Sequence, residues 1–237
     1  MAPNRVLNIA HRGASAYEPE NTLRAVRKAL ELNADMVEID VRLSKDGRVM
    51  VIHDETVDRT TDGRGYVRDM TLEELRGLDA GKGERIPTLE EVMGLVKGRA
   101  GLLIDVKDPP PIEREIVRIT EGYGMEGDVI IIVYAFPRHT AVKRVKELNP
   151  GIRTDALFTA PPVNLRLALE LGVDVLHVGG YRLATRDLVE EAHRHGLLVI
   201  VGTTDGMTEL RGLIEMGVDG ITVDDPVALY RAMRQPL

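Results

Sequence analysis

Glu38 and Asp40 stand one residue apart in the run Met36-Val37-Glu38-Ile39-Asp40-Val41-Arg42-Leu43, with His53-Asp54 a short way beyond. Apolar and charged residues alternate through the run, so in a strand Glu38, Asp40 and Arg42 share one face. Asp46-Gly47 is a hairpin signal and Val49 to Ile52 supplies the returning strand. A tight turn there brings His53 roughly opposite Glu38 or Asp40, so that two carboxylates and an imidazole converge. Such a group can hold a hard metal ion or move protons. The bland alternative is the solvated face of a two-stranded ribbon, and the rest of the chain decides between them.

The elements that must position these residues follow a regular order. Val6 to Ala10 reads as a buried strand ending in His11-Arg12-Gly13, and Pro19 to Thr22 open a helix. Residues 54–69 are polar and contain glycine, as expected of an ordered loop over one end of the fold. Thr71-Leu72-Glu73-Glu74 and Thr88-Leu89-Glu90-Glu91 are capping-box patterns that predict two helix starts. Apolar strands then alternate with amphipathic helices. The strands are predicted at Leu102 to Val106, Val129 to Val133, Ala156 to Phe158, Val175 to Val178, Leu198 to Val201 and Ile221 to Val223. Eight βα units, apart from the hairpin's return strand, predict a (β/α)8 TIM barrel of the α/β class in one domain spanning residues 1–237. The extra strand follows the second barrel strand, and the insertion before the third is minimal. An open dinucleotide-binding sheet is disfavoured, because no Gly-x-Gly-x-x-Gly follows the first strand.

Composition narrows the chemistry. The chain has no cysteine, which excludes disulfides, thiolate metal sites and cysteine nucleophiles. Its formal net charge of −7 and 3% aromatic content argue against a nucleic-acid partner. No stretch is long and apolar enough for stable membrane insertion, and no signal peptide is evident, so a cytoplasmic enzyme is expected. The oligomeric state is left open.

A parallel barrel carries its active site at the C-terminal ends of the strands. Those ends hold His11-Arg12, Glu38 with Asp40, Asp105 with Lys107, Thr203-Thr204-Asp205 and Asp224-Asp225. Glu38, Asp40 and Asp105 make an all-oxygen set suited to one divalent cation, Mg²⁺ or Ca²⁺. Arg12 and Lys107 suit a phosphoryl group, and His11 with His53 can act as base and acid. The reaction class that fits is metal-assisted phosphodiester cleavage. Three bland readings stand beside it: Asp224 as a simple cap of the last helix, Lys107 as a solvated residue before Pro109-Pro110-Pro111, and His139, His177, His193 and His195 as surface or satisfied histidines. His177 is the exception to watch, because it falls within a predicted strand.

At these residues the sequence resembles the glycerophosphodiester phosphodiesterases. The matching motifs are His11-Arg12-Gly13, Pro19-Glu20-Asn21-Thr22, Glu38-Ile39-Asp40-Val41, His53-Asp54 and Arg59-Thr60-Thr61-Asp62-Gly63. Leu78-Asp79-Ala80-Gly81, Ile86-Pro87-Thr88-Leu89-Glu90-Glu91 and Gly217-Val218-Asp219-Gly220-Ile221 continue the likeness. The resemblance implies hydrolysis of small-molecule glycerophosphodiesters to glycerol phosphate and an alcohol. It implies His11 and His53 as the acid–base pair, Arg12 and Lys107 on phosphate, and a cation on Glu38, Asp40 and Asp105. It also implies attack by the glycerol hydroxyl through a cyclic phosphate. Three features depart from the family pattern: Asp105 replaces a glutamate, Gly202-Thr203-Thr204-Asp205 replaces Trp-Thr-Val-Asn, and Gly81 to Arg85 is very short. The last two predict a more open mouth. Asp105 also resembles the arrangement of sphingomyelinase D, so a lysophospholipase D or sphingomyelinase D-like activity is the alternative. A barrel that binds a phosphate ligand without cleaving it is the reading from another class.

Overall fold

In the computed structural model, residues 5–134 and 140–234 are described. The chain opens with β1 (Leu7–Ala10), α1 (Leu23–Glu31), β2 (Met36–Leu43) and β3 (Val49–Val51). Next come α2 (Leu72–Arg76), α3 (Leu89–Val96), β4 (Gly101–Val106), α4 (Ile112–Tyr123), β5 (Val129–Tyr134) and α5 (Thr140–Leu148). The second half continues with β6 (Arg153–Phe158), α6 (Leu165–Leu171), β7 (Val175–Val178), α7 (Arg186–Arg194), β8 (Leu198–Val201), α8 (Met207–Met216), β9 (Gly220–Val223) and α9 (Pro226–Arg234). The strands lie in the order β1-β9-β8-β7-β6-β5-β4-β2, and β1 pairs with β2 to close the ring. All ring pairings are parallel, while β3 joins β2 antiparallel on its outside edge. This is the expected (β/α)8 barrel with one added strand.

The period of two along each strand sorts the residues into two environments. Val37, Ile39 and Val41 of β2, and Leu102, Ile104 and Val106 of β4, turn outward into the large apolar layer shared with the helices. Met36 and Leu103 turn inward, where they join Ile9, Ile130, Ile132, Val175 and Ile200 in a separate apolar plug. Two and four residues further along the same faces come Glu38, Asp40, Asp105, His177 and Thr222, all buried. The barrel therefore has an apolar floor and an ionisable upper layer.

Helix starts follow local chemistry. Thr71 and Thr88 both close full capping boxes, with Glu74 and Glu91 reaching back to their backbone N–H groups. Each such cap is worth about 1 kcal/mol. Left-handed glycines end α6 and α8, at Gly172 and Gly217.

The hairpin differs in detail from a tight two-residue turn. Leu43 pairs with Val49, Gly47 N–H donates to the Ser44 carbonyl at 3.0 Å, and Gly47 takes φ +76°. This is a longer loop with a left-handed glycine, stabilised by Ser44 Oγ on Asp46 Oδ1 at 2.6 Å. Beyond β3 the chain to residue 88 packs around its own apolar cluster of Met50, Ile52, Val57, Val67, Leu75, Ala80 and Ile86. No helix among the described residues is long and apolar enough to cross a membrane.

Candidate active site

His11 leaves the end of β1 with its backbone N–H on the Val223 carbonyl at 2.9 Å. Its Nδ1 lies 2.7 Å from Asp224 Oδ1. Burial opposes charge on this imidazole, but the hydrogen bond to Asp224 and the charge of Glu38 outweigh it, so the His11 pKa is raised. Asp224 is lowered in turn, chiefly by the same hydrogen bond. The helix-cap reading of Asp224 is thus corrected by one residue. Asp225 Oδ1 accepts the Val227 N–H at the start of α9, and Asp224 turns to His11 instead.

Arg12 and Gly13 both adopt positive φ, +56° and +82°. This left-handed corner aims the Arg12 N–H at Glu38 Oε2, 2.8 Å away. A side chain at Gly13 would stand 2.6 Å from the Ala25 backbone, so the corner also needs the missing Cβ. The Arg12 guanidinium meets Glu20 Oε1 at 2.8 Å and Asp40 Oδ2 at 3.1 Å. Asn21 grips Asp40 twice, donating Nδ2–H to its carboxylate at 2.8 Å and accepting its backbone N–H at 3.2 Å.

Asp40 and Asp105 are register partners on adjacent strands. Lys107 follows with Nζ 2.6 Å from Asp105 Oδ2 and 3.0 Å from Asp40 Oδ1. Lys107 is buried, which excludes the solvated reading. One carboxylate oxygen from each of Glu38, Asp40 and Asp105 lies within 4.8 Å of the others. Burial, then repulsion from Asp40, raises the Glu38 pKa, and burial raises Asp105 despite Lys107. Asp40 goes the other way, because Lys107 and Arg12 overcome its burial. Asp105 Oδ1 is buried without a hydrogen-bond partner. A set of hard, buried oxygens still short of positive charge fits a divalent cation.

His53 is delivered by the return strand. Ile52 N–H donates to the Asp40 carbonyl at 3.0 Å, and Arg42 Nε donates to the His53 carbonyl at 2.8 Å. His53 Nδ1 lies 2.6 Å from Asp54 Oδ1. Arg59 then clamps Asp54 and Glu20 with paired contacts of 2.6 to 3.0 Å, linking the His53 support to the Arg12 support.

His11, Arg12, Glu38, Asp40, His53, Asp105 and Lys107 all line one cavity of about 150 Å³ at the C-terminal ends of the strands. Thr203 lines it too, whereas Asp205 accepts the Asp225 N–H outside it. A larger cleft of about 1090 Å³ opens at the other end of the barrel beside Arg5, Arg99 and Tyr230, and no histidine lines it. Sequence reasoning missed Asp155, which sits buried in β6 and holds the Nδ1 of His177 at 3.0 Å. It also gave no role to Glu20, Asn21 or Arg59 beyond their motifs, where a run of polar residues between apolar elements was the available signal. His193 pairs with Asp219 and His195 with Glu191 near the surface, and His139 lies outside the described residues.

Known proteins resemble this chain along nearly its whole length. The family described as "Glycerophosphoryl diester phosphodiesterase family" matches residues 11–228. A protein of Caldanaerobacter subterraneus subsp. tengcongensis named glycerophosphodiester phosphodiesterase is 39% identical, covering 98% of this chain and 99% of that protein. A Bacillus subtilis protein of the same name is 30% identical over 99% of this chain and 88% of its own. Among solved structures, an Agrobacterium tumefaciens glycerophosphodiester phosphodiesterase superposes with TM-score 0.84 at 29% identity, covering 96% of this chain and 100% of that one. An Oleispira antarctica phosphodiesterase, in complex with the product sn-glycerol-3-phosphate, gives TM-score 0.85 at 28% identity, covering 96% of both chains. The sphingomyelinase D-like alternative gains no support from these relatives. On the match across residues 11–228 and the near full-length relatives, this chain belongs to the glycerophosphoryl diester phosphodiesterase family.

Proposed function

We propose that this enzyme hydrolyses small glycerophosphodiesters to glycerol phosphate and an alcohol, with His11 and His53 exchanging protons at the phosphoryl centre. The observation that carries the reading is that both histidines commit Nδ1 to a carboxylate, Asp224 or Asp54, beside one cluster of buried acids. Each then has Nε2 free for substrate and its tautomer fixed by its partner. Glu38, Asp40 and Asp105 would hold one Mg²⁺ or Ca²⁺, and such an ion, when bound, polarises phosphoryl oxygens and offsets their charge.

Arg12 and Lys107 reach the non-bridging oxygens from the carboxylate side of the cavity. One histidine accepts the proton of the glycerol hydroxyl as that oxygen bonds to phosphorus. The other donates a proton to the departing alkoxide as its P–O bond breaks, leaving a cyclic phosphate. Water then opens the ring with the two histidines in exchanged roles, which restores both. The chain's proposed setting is the cytoplasm, as one domain.

The test is release of glycerol phosphate from glycerophosphocholine. His11→Ala and His53→Ala should each lose about 10²- to 10⁴-fold in kcat while keeping the wild-type melting behaviour. A folded variant with most of its activity would overturn the assignment.

A further inference from the structure

Among the described residues, His177 and Asp155 form the titratable pair at the cavity for which the reaction above has no use. His177 is 4% exposed and Asp155 is fully buried. The pair lies on β7 and β6, and β7 is four strands from β2 in either direction round the ring. It therefore faces the carboxylates across the barrel. His177 Nδ1 is taken up by Asp155 at 3.0 Å, which leaves Nε2 for the cavity that His177 lines.

The space beside Nε2 is kept open by Gly202. A Cβ at that position would stand 3.2 Å from His177 Nε2 and 2.6 Å from Thr222 Oγ1. Thr203 Oγ1 lies 3.3 Å from Thr222 Oγ1, so two hydroxyls adjoin the imidazole nitrogen. Ile132 and Leu157 close the wall, and the apolar plug lies below. The result is a small blind recess with a polar lining.

We propose that His177, braced by Asp155, reads the distal hydroxyl of the substrate's glycerol arm, with Thr222 and Thr203 alongside. The proposal rests on the function given above. With phosphorus held on the Arg12 and Lys107 side, one ester arm must point across the cavity and the other out through the mouth. A closed recess suits the arm that is the same in every substrate, and the varying alcohol takes the open side. An imidazole nitrogen that opens onto this cavity calls for a hydrogen-bonding group there. A hydroxyl both donates and accepts, so it can satisfy Nε2 whether or not that nitrogen carries a proton. A quaternary ammonium group could do neither.

The experiment compares two diesters with the same leaving alcohol: the glycerol ester, and its 2-hydroxypropyl analogue in which the distal CH2OH is CH3. The analogue keeps the hydroxyl next to the esterified carbon, so the displacement remains possible. In the wild type, kcat/KM for the glycerol ester should exceed that for the analogue by about 10- to 100-fold. In His177→Leu the ratio should fall to within about twofold of one. Because that variant strands Asp155, the double variant Asp155→Leu with His177→Leu is measured too. Exchanging a whole buried pair for apolar groups is commonly tolerated by the fold. The proposal is overturned if either folded variant keeps the wild-type ratio, even at reduced overall rate, or if the wild type shows no preference. Failure of the functional reading looks different: the wild type then releases no glycerol phosphate from the glycerol ester, and the proposal falls with it.

Discussion

Replacing Asp224 with asparagine asks how much His11 owes to its neighbour. The substitution keeps the shape and one acceptor for the Ser15 hydroxyl, now 2.9 Å from Asp224 Oδ1, but removes the charge facing His11 Nδ1 at 2.7 Å. A hydrogen bond to a charged group exceeds a neutral one by about 1 to 1.5 kcal/mol. The Asp224 side chain is 43% exposed, so solvent takes a share and about 1 kcal/mol remains. That corresponds to roughly a fivefold loss in kcat/KM. The loss grows if the amide turns its NH2 toward Nδ1 and imposes the other tautomer.

The sign of the pH effect follows from the two shifts. Asp224 favours protonated His11, against burial, and the His11 pKa is raised in consequence. The variant should therefore move the His11 limb of the kcat/KM profile to lower pH, whether that limb reports a base or an acid. A folded variant with an unchanged rate and an unchanged profile would refute the idea that Asp224 sets the state of His11.

Asp105→Asn should weaken cation binding by about 10- to 100-fold in isothermal titration with Mg²⁺ or Ca²⁺, and activity lost to a chelator should return on adding the ion. Wild-type affinity in the variant would remove Asp105 from the ligand set. Gly13→Ala should cost about 2 to 4 kcal/mol in denaturant unfolding, since its Cβ meets backbone and its φ is positive; a neutral result would show that the corner can relax. Arg59→Met concerns acid stability. Glu20 and Asp54 both have lowered pKa values, Asp54 chiefly through Arg59 and Glu20 through Arg59 and Arg12 against its burial. The stability they contribute is complete above their unfolded values near 4 and is lost as pH falls through the lowered folded values. The melting temperature should thus fall less steeply with acidification in the variant than in the wild type, and equal slopes would count against the clamp.

The barrel was legible because its strands are continuous apolar runs and its helices begin at strong caps such as Thr71 and Thr88. The convergence of six candidate residues on one cavity was legible because a barrel gathers strand ends, whatever their distance in sequence, and that of His53 because the hairpin returns it to the same mouth. What escaped was polarity inside a strand. Strand β6 was expected to start at Ala156, yet it starts at Arg153, and Thr154 and Asp155 are wholly buried. Hydropathy reads such residues as loop, because the partner that makes Asp155 tolerable, His177, is 22 positions away. The Asp224 cap reading erred for a related reason. Two adjacent aspartates before a proline offer the same local cap, and only the closed ring decides which one turns inward.

The same closure ties assembly of the candidate site to docking of the last strand. His11 and Asp224 are 213 residues apart, and β1 pairs with β9 along its full length. During synthesis the first strand and its histidine emerge early and wait roughly 10 to 40 s for their partners at ordinary elongation rates. A nascent or truncated chain can present the acidic cluster of β2 and β4 without an oriented His11. The candidate site is therefore assembled only when the last strand docks, so its integrity is itself a report that the ring has shut.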